Sequence, residues 1–137
     1  MTYALDTNVI FQLLRKNADI EKRFRQAKDM GCSFAIPPFV YYEVQRGFWL
    51  NAAPEKERMF EHICEAYEIG KMTLDVWDNA AQIYAALRRR NQTIEDADIL
   101  IAAFCVVNSY ILVTHNTRHF ERVEELAIED WASTVSS

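Results

Sequence analysis

Asp98-Ile-Leu-Ile-Ala-Ala-Phe-Cys-Val-Val-Asn-Ser-Tyr-Ile-Leu-Val-Thr-His-Asn116 sets a helix that is apolar nearly all round directly before an apolar run, Tyr110-Ile-Leu-Val113, that reads as a strand. A helix without a polar face is a buried helix. A strand that is continuously apolar, rather than alternating, is covered on both of its faces. Thr93 reads as the start of this helix. Outward from it, residues 2–5 (Thr-Tyr-Ala-Leu) form a short apolar strand cut off by Asp6, and residues 7–16 carry Val9, Ile10, Leu13 and Leu14 at helical spacing. A polar helix follows over 18–29 and ends near Gly31. Residues 33–36 read as a second strand, and Pro37-Pro38 open a helix over 38–50, since proline is tolerated in a first turn. Further helices are expected over 54–68 and 75–91, the latter with Val76, Ala80, Ile83, Tyr84 and Leu87 on one face. A third strand is expected at 71–74 and a last one between Glu125 and Ile128. Strands alternating with helices predict an α/β fold in three layers, a central parallel sheet of four to five strands flanked by helices. Ligands of such folds bind beyond the carboxyl ends of the strands, at a topological switch point. That directs attention to Asp6 and Thr7 after the first strand, and to Thr114, His115 and Asn116 after the clearest one.

The 137 residues, half of them hydrophobic, suit a single domain over 1–137 with a real core. Cys32, Cys64 and Cys105 are far apart in apolar context, with no metal spacing, and read as reduced thiols of a cytoplasmic protein. The first residues carry no signal-peptide pattern. No apolar stretch approaches the roughly 20 residues that span a bilayer, so no membrane partner is expected. The net charge is −5. A protein that gripped nucleic acid with its whole surface would be basic. Either nucleic acid is not the substrate, or the contact is local and helped by a metal. An acidic chain also suits a basic peptide partner.

Three carboxylates stand where structure alone does not require them. Asp6 follows a strand and precedes a helix; it is either an N-cap or a functional acid. Glu43 borders the apolar face made by Val40, Val44 and Phe48, where it reaches solvent, pairs with an arginine or serves a site. Asp98 shares a helical face with Ile94, Ile101, Ala102 and Cys105, in what reads as an interior turn, where aspartate is a poor helix former. Either a buried salt bridge or a cation would offset its desolvation. Asp96 lies three residues after Thr93 and reads as part of a capping box, or as a supporting group behind the site. Carboxylates from separate elements, without histidine or cysteine at zinc spacing, suit a hard cation, Mg²⁺ or Mn²⁺.

In this order and spacing, Asp6-Thr-Asn8, Tyr42-Glu43-Val44, Asp98-Ile-Leu-Ile-Ala-Ala103, Leu112-Val-Thr-His-Asn-Thr-Arg-His-Phe120 and Leu126-Ala-Ile-Glu-Asp-Trp131 resemble the PIN domains, and within them the VapC-type toxins of type II toxin–antitoxin systems. The resemblance spans essentially the whole chain. It implies a PIN-like fold, usually homodimeric, and Mg²⁺- or Mn²⁺-dependent endoribonuclease activity on tRNA, rRNA or mRNA. It also implies a cognate antitoxin that inserts a segment into the active site, with no DNA contact by this chain alone. Asp6, Glu43 and Asp98 take the metal-binding positions. Asn116 stands where many PIN domains carry a fourth acidic residue, so one firmly held ion is expected rather than an assured pair.

The mechanism expected from this set is phosphodiester hydrolysis, with Asp6, Glu43, Asp98 and Asn116 catalytic and Thr7, Asn8 and Thr114 orienting water or phosphate through hydrogen bonds. Positive charge for RNA would come from Arg88, Arg89, Arg90, Arg118 and Arg122, with Lys71 a weaker candidate; the arginine run 88–90 also reads as a solvated helix end that complements the dipole. Tyr41, Tyr42 and Trp49 are candidates for base stacking, or for core or dimer contacts. His115 and His119 read as contacts only. The alternatives are a PIN-fold nuclease of RNA processing outside a toxin–antitoxin pair and a non-catalytic binding module. A phosphoacceptor signalling domain is disfavoured, because no lysine follows the strand at 110–113.

Overall fold

A computed structural model of the chain describes residues 1–132. Strands β1 (Thr2–Leu5), β2 (Ser33–Ile36), β3 (Glu68–Ile69), β4 (Ile111–Val113) and β5 (Ile128–Glu129) form one sheet in the order β3-β2-β1-β4-β5. Each neighbouring pair is parallel. Between the strands run α1 (Thr7–Leu14), α2 (Ala18–Asp29), α3 (Pro38–Leu50), α4 (Pro54–Ala66), α5 (Leu74–Arg89), α6 (Asp96–Asn108) and the short α7 (Thr117–Phe120). From β1 the chain moves outward through β2 to β3, then returns to lay β4 on the other side of β1. Right-handed crossovers in opposite directions put helices on both faces of the sheet. Consecutive residues Ala4 and Leu5, and Leu112 and Val113, are accordingly buried whichever way they point.

The order of strands reverses between β1 and β4. Their carboxyl ends, followed by Asp6 and Thr114, form the crevice in which parallel sheets hold ligands. Beneath that crevice lies a continuous core that includes Leu5, Ile10, Val40, Val44, Ile101, Leu112 and Phe120. Helix α6 supplies Ile99, Ile101, Ala102, Ala103, Phe104 and Cys105 to it, which is why its sequence shows no polar face.

Strands 2–5 and 33–36 and the helices over 18–29 and 38–50 lie where the residue pattern places them. Other bounds differ. The third strand is Glu68–Ile69 rather than 71–74, and Leu74 already belongs to α5. Both β3 side chains are exposed at the sheet edge, so the strand leaves no apolar run to read. Tyr84 is not on the buried face of α5; it is 43% exposed, while Val76, Ala80, Ile83 and Leu87 face inward. Helix α6 begins at Asp96 with Glu95 in the cap position, so Thr93 lies outside it and no Thr93–Asp96 capping box forms. Asp98 therefore stands in the first turn of α6. There a carboxylate is favoured by the helix dipole rather than penalised by propensity.

Candidate active site

Asp6 caps α1, so the bland expectation holds, but the cap does not exhaust its role. One oxygen accepts the backbone N–H of Thr7 at 2.8 Å, and the other accepts the hydroxyl of Thr114 at 2.6 Å and the amide of Asn8 at 3.4 Å. Asp6 is 5% exposed and Thr114 fully buried. Burial pushes the Asp6 carboxyl up to about 6; the bonds from Thr114 and Thr7 pull it down, and the charges of Asp98 and Glu43 add to the rise. The three acids thus act on one another across the crevice.

Glu43 projects from α3, where its first oxygen accepts the Thr7 hydroxyl at 2.6 Å and its second lies 3.6 Å from the Arg46 guanidinium. Thr7 therefore links the start of α1 to the acid on α3. Asp98 reaches the same crevice from α6, with 16% of its side chain exposed. Its carboxyl is also raised, by burial first; a hydrogen bond and charge from His119 pull it down, while Glu95 and Glu43 push it further up. Asn116 presents its side-chain amide to Asp98 at 3.5 Å and to His119 Nδ1 at 2.9 Å, and its backbone N–H donates to Thr114 at 2.9 Å. Asn8 receives the backbone N–H of His115 at 3.3 Å, tying the loop after β4 to α1.

Asp6, Thr7, Asn8, Glu43, Asp98, Thr114 and Asn116 are thus brought together. Asp96 is not: it stands exposed on the first turn of α6. Two basic candidates are committed elsewhere. Arg122 donates to the carbonyl of Thr93 at 3.1 Å, while Arg90 donates to the carbonyl of Arg122 at 2.6 Å and pairs with Glu124. Arg118 is exposed and, among the described residues, has no ion-pair partner; it lines a cavity of about 460 Å³ with Arg90, Gln92, Glu121, Arg122 and Glu124. Arg88 and Arg89 are exposed at the end of α5, with Arg88 donating to the Tyr84 hydroxyl. Tyr41 stacks on Phe60 in the core, whereas Tyr42 is half-exposed and carries Arg46 over its ring at 5.1 Å. Trp49 is 88% exposed but lies six residues along α3 from Glu43, on another face.

The residue that the sequence undervalues is His119. It stands three positions after Asn116 on α7, and its Nδ1 lies 3.3 Å from Asp98. His115 instead turns to Asp130 at 3.1 Å. The signal for His119 was the spacing itself, one helical turn from Asn116, and it carries weight only once a helix is known to start there.

Among the described residues no three Asp, Glu, His or Cys side chains already converge closely enough to hold one ion together. The donor set nonetheless fits a hard divalent cation. Mg²⁺ commonly contacts one or two carboxylates directly and reaches others through its waters; burial first, and the neighbouring acids after it, raise the carboxyls of Asp6 and Asp98, and a cation would offset both.

Fold and site together define a class: a parallel α/β protein whose acidic crevice sits at the reversal of strand order. The PIN domain matches residues 3–126, and the chain belongs to the PIN-domain family. It is 30% identical to the tRNA(fMet)-specific endonuclease VapC of Shigella flexneri, over 96% of this chain and 99% of that protein. It superposes on DNA-bound VapBC from Salmonella typhimurium with a TM-score of 0.84 at 28% identity, covering 96% and 98% of the two chains. VapBC2 from Rickettsia felis, bound to a DNA fragment from its promoter, shares the fold with a TM-score of 0.87 at 22% identity, over 96% and 99%.

Proposed function

We propose that this chain is a divalent-metal-dependent endoribonuclease acting as the toxin of a toxin–antitoxin pair. The observation that carries the proposal is Asp6, a carboxylate held 5% exposed with the charges of Asp98 and Glu43 acting on it, at the switch point of the sheet. Leaving like charges together away from water is costly unless a cation compensates them. Bound there, Mg²⁺ or Mn²⁺ would supply an acidified water and neutralise charge on a scissile phosphate. The chain's own groups set the geometry: Thr114 and Thr7 hold Asp6 and Glu43 in place, and Asn8 fixes the backbone of the loop after β4.

An RNA substrate, of the tRNA, rRNA or mRNA class, is supported by the ribonuclease names of relatives that match nearly the whole chain. A cognate antitoxin is supported by solved neighbours that are VapBC toxin–antitoxin complexes. An apolar hollow of about 420 Å³ is walled by Phe39, Tyr42, Met72, Trp77 and Leu100 and by Arg46, the ion-pair partner of Glu43. An antitoxin segment that joins apolar anchors to a basic group fits this hollow and the acids beyond it. A homodimer is supported by the exposed Leu74 and Tyr84 of α5, and the proposed setting is the cytoplasm.

Purified protein incubated with tRNA is expected to cut it internally with Mg²⁺ or Mn²⁺ and to stop in EDTA. Asp98→Asn is expected to fold normally and to lose cleavage. Undiminished cutting by Asp98→Asn, or in EDTA, would overturn the assignment.

A further inference from the structure

We propose that His119 is a metal ligand and that His119, Asp98 and Asn116 form one three-donor face for a divalent cation that takes nitrogen as well as oxygen, Mn²⁺ in preference to Mg²⁺. This rests on the metal-dependent reading of the site given above. The amide end of Asn116 lies 2.9 Å from His119 Nδ1, Nδ1 lies 3.3 Å from Asp98 Oδ2, and the triangle closes at 3.5 Å between Asp98 and Asn116. Around an octahedral ion with bonds of about 2.0–2.1 Å, neighbouring ligand atoms stand about 3 Å apart. The three atoms therefore have the size of one face of a coordination shell.

Hydrogen bonding does not account for the triangle as it stands. With the amide nitrogen of Asn116 toward His119, a protonated Nδ1 satisfies Asp98 but opposes a second donor. An unprotonated Nδ1 satisfies the amide but opposes the carboxylate. Amide nitrogen and oxygen differ by a half-turn, and which one faces a neighbour is set by what that neighbour offers. Turning the amide aims three lone pairs, from Asn116 Oδ1, His119 Nδ1 and Asp98 Oδ2, at one centre. A cation at that centre satisfies all three.

The surroundings are built for such a position. Thr114 accepts the Asn116 backbone N–H and donates to Asp6, so the face is braced against the buried acid. The side chain of His119 is 41% exposed, leaving the outward positions of an ion open to water or phosphate. Imidazole favours the later first-row metals, carboxylate and amide oxygen favour Mg²⁺ and Mn²⁺, and Mn²⁺ is the member of the hard group that stands nearest to nitrogen chemistry.

The test uses the full chain and Mn²⁺ alone. Pulsed EPR of the Mn²⁺-loaded protein is expected to show coupling to a directly bound imidazole nitrogen. That coupling should vanish in His119→Ala and in His119→Gln, and persist in His115→Ala. Mn²⁺ affinity should fall at least roughly tenfold in both His119 variants, as for lost partners of a metal shell, with a smaller loss for Mg²⁺; melting curves in EDTA check that both variants are folded. Mn²⁺ bound without nitrogen coupling, or coupling retained in His119→Gln, would overturn this ligand assignment and leave the metal-dependent nuclease intact. A wild-type chain that binds no Mn²⁺ and no Mg²⁺ would overturn both.

Discussion

Asp6 is held by Thr7, Asn8 and Thr114 in a place where its charge is unwelcome. Its carboxyl titrates near 6 when folded, against an ordinary value of 3.8. Between those values the folded state keeps a proton that the unfolded chain has released, so stability falls as pH rises through the window. The loss is on the order of 3 kcal/mol and is complete above the folded value. In EDTA, urea midpoints of the wild type should drop from pH 4 to pH 6.5 relative to Asp6→Asn, and at pH 7 Asp6→Asn should be the more stable protein. Adding Mn²⁺ at pH 7 should raise the melting temperature of the wild type, and raise that of Asp6→Asn by less, since His119, Asp98 and Asn116 remain in the variant. Equal pH slopes for the two proteins would remove Asp6 as the source. Thr114→Val should take away a buried donor and cost about 1–3 kcal/mol, read as a shifted urea midpoint. From sequence, Asp6 reads as either a helix cap or a functional acid. What separates the two lies far along the chain: Thr114, 108 residues away, bonds the carboxylate, and no local pattern records that contact.

Gly70 shows how an element can be set by a neighbour that sequence does not reveal. It follows β3, donates its backbone N–H to Ile36 at 2.9 Å, and lies so close to the Phe104 ring that an added Cβ would sit 2.1 Å from it. Phe104 is buried on α6 and cannot swing into solvent. Gly70→Ala should destabilise the fold by about 1–3 kcal/mol through overpacking, seen as a lower melting temperature; an unchanged value would mean that Phe104 yields freely. Helix α3 was legible because proline marks its start and Val40, Val44 and Phe48 recur at helical spacing, and α2 because Gly31 marks its end. Strand β3 was not, being two exposed residues paired only through backbone. The start of α6 was misplaced for a related reason: Thr93 is a good cap by type, but its carbonyl is taken by Arg122 and the helix opens at Asp96 instead. On α5 one face is buried while Leu74, Trp77 and Tyr84 line an exposed one. Apolar area of that kind marks an interaction surface. On the proposed homodimer, Tyr84→Glu should lower the mass measured by light scattering from dimer to monomer without altering far-UV circular dichroism; an unchanged dimer mass would move the interface elsewhere, and a wild-type monomer would remove it.

Across the whole molecule a parallel sheet covered on both faces was accessible from the alternation of apolar runs and helices, whereas the strand order β3-β2-β1-β4-β5 and the place of its reversal were not. The acids of the site were accessible as residue types in a known order, though their relative burial was not. A net charge of −5 has to be reconciled with the polyanionic substrate proposed for the chain. Long-range electrostatics opposes the encounter, so the attraction has to be local. Arg90 and Arg122 are tied to backbone carbonyls near the cavity beside α7, whereas Arg118, one residue before His119, projects from α7 exposed to solvent. Each phosphate contact by such a side chain releases condensed counterions and contributes about 0.7 to the slope of log affinity against log salt on single strands. Measured with cleavage-inactive Asp98→Asn on a short RNA, Arg118→Ala should weaken binding for every sequence alike and make the salt slope shallower by about that amount. Arg89→Ala, at the far end of α5, serves as the comparison: a loss equal to that of Arg118→Ala would spread the RNA path along the arginine run. A slope unchanged by Arg118→Ala would place the phosphate contact away from α7, leaving the acids and their cation to hold the RNA by themselves.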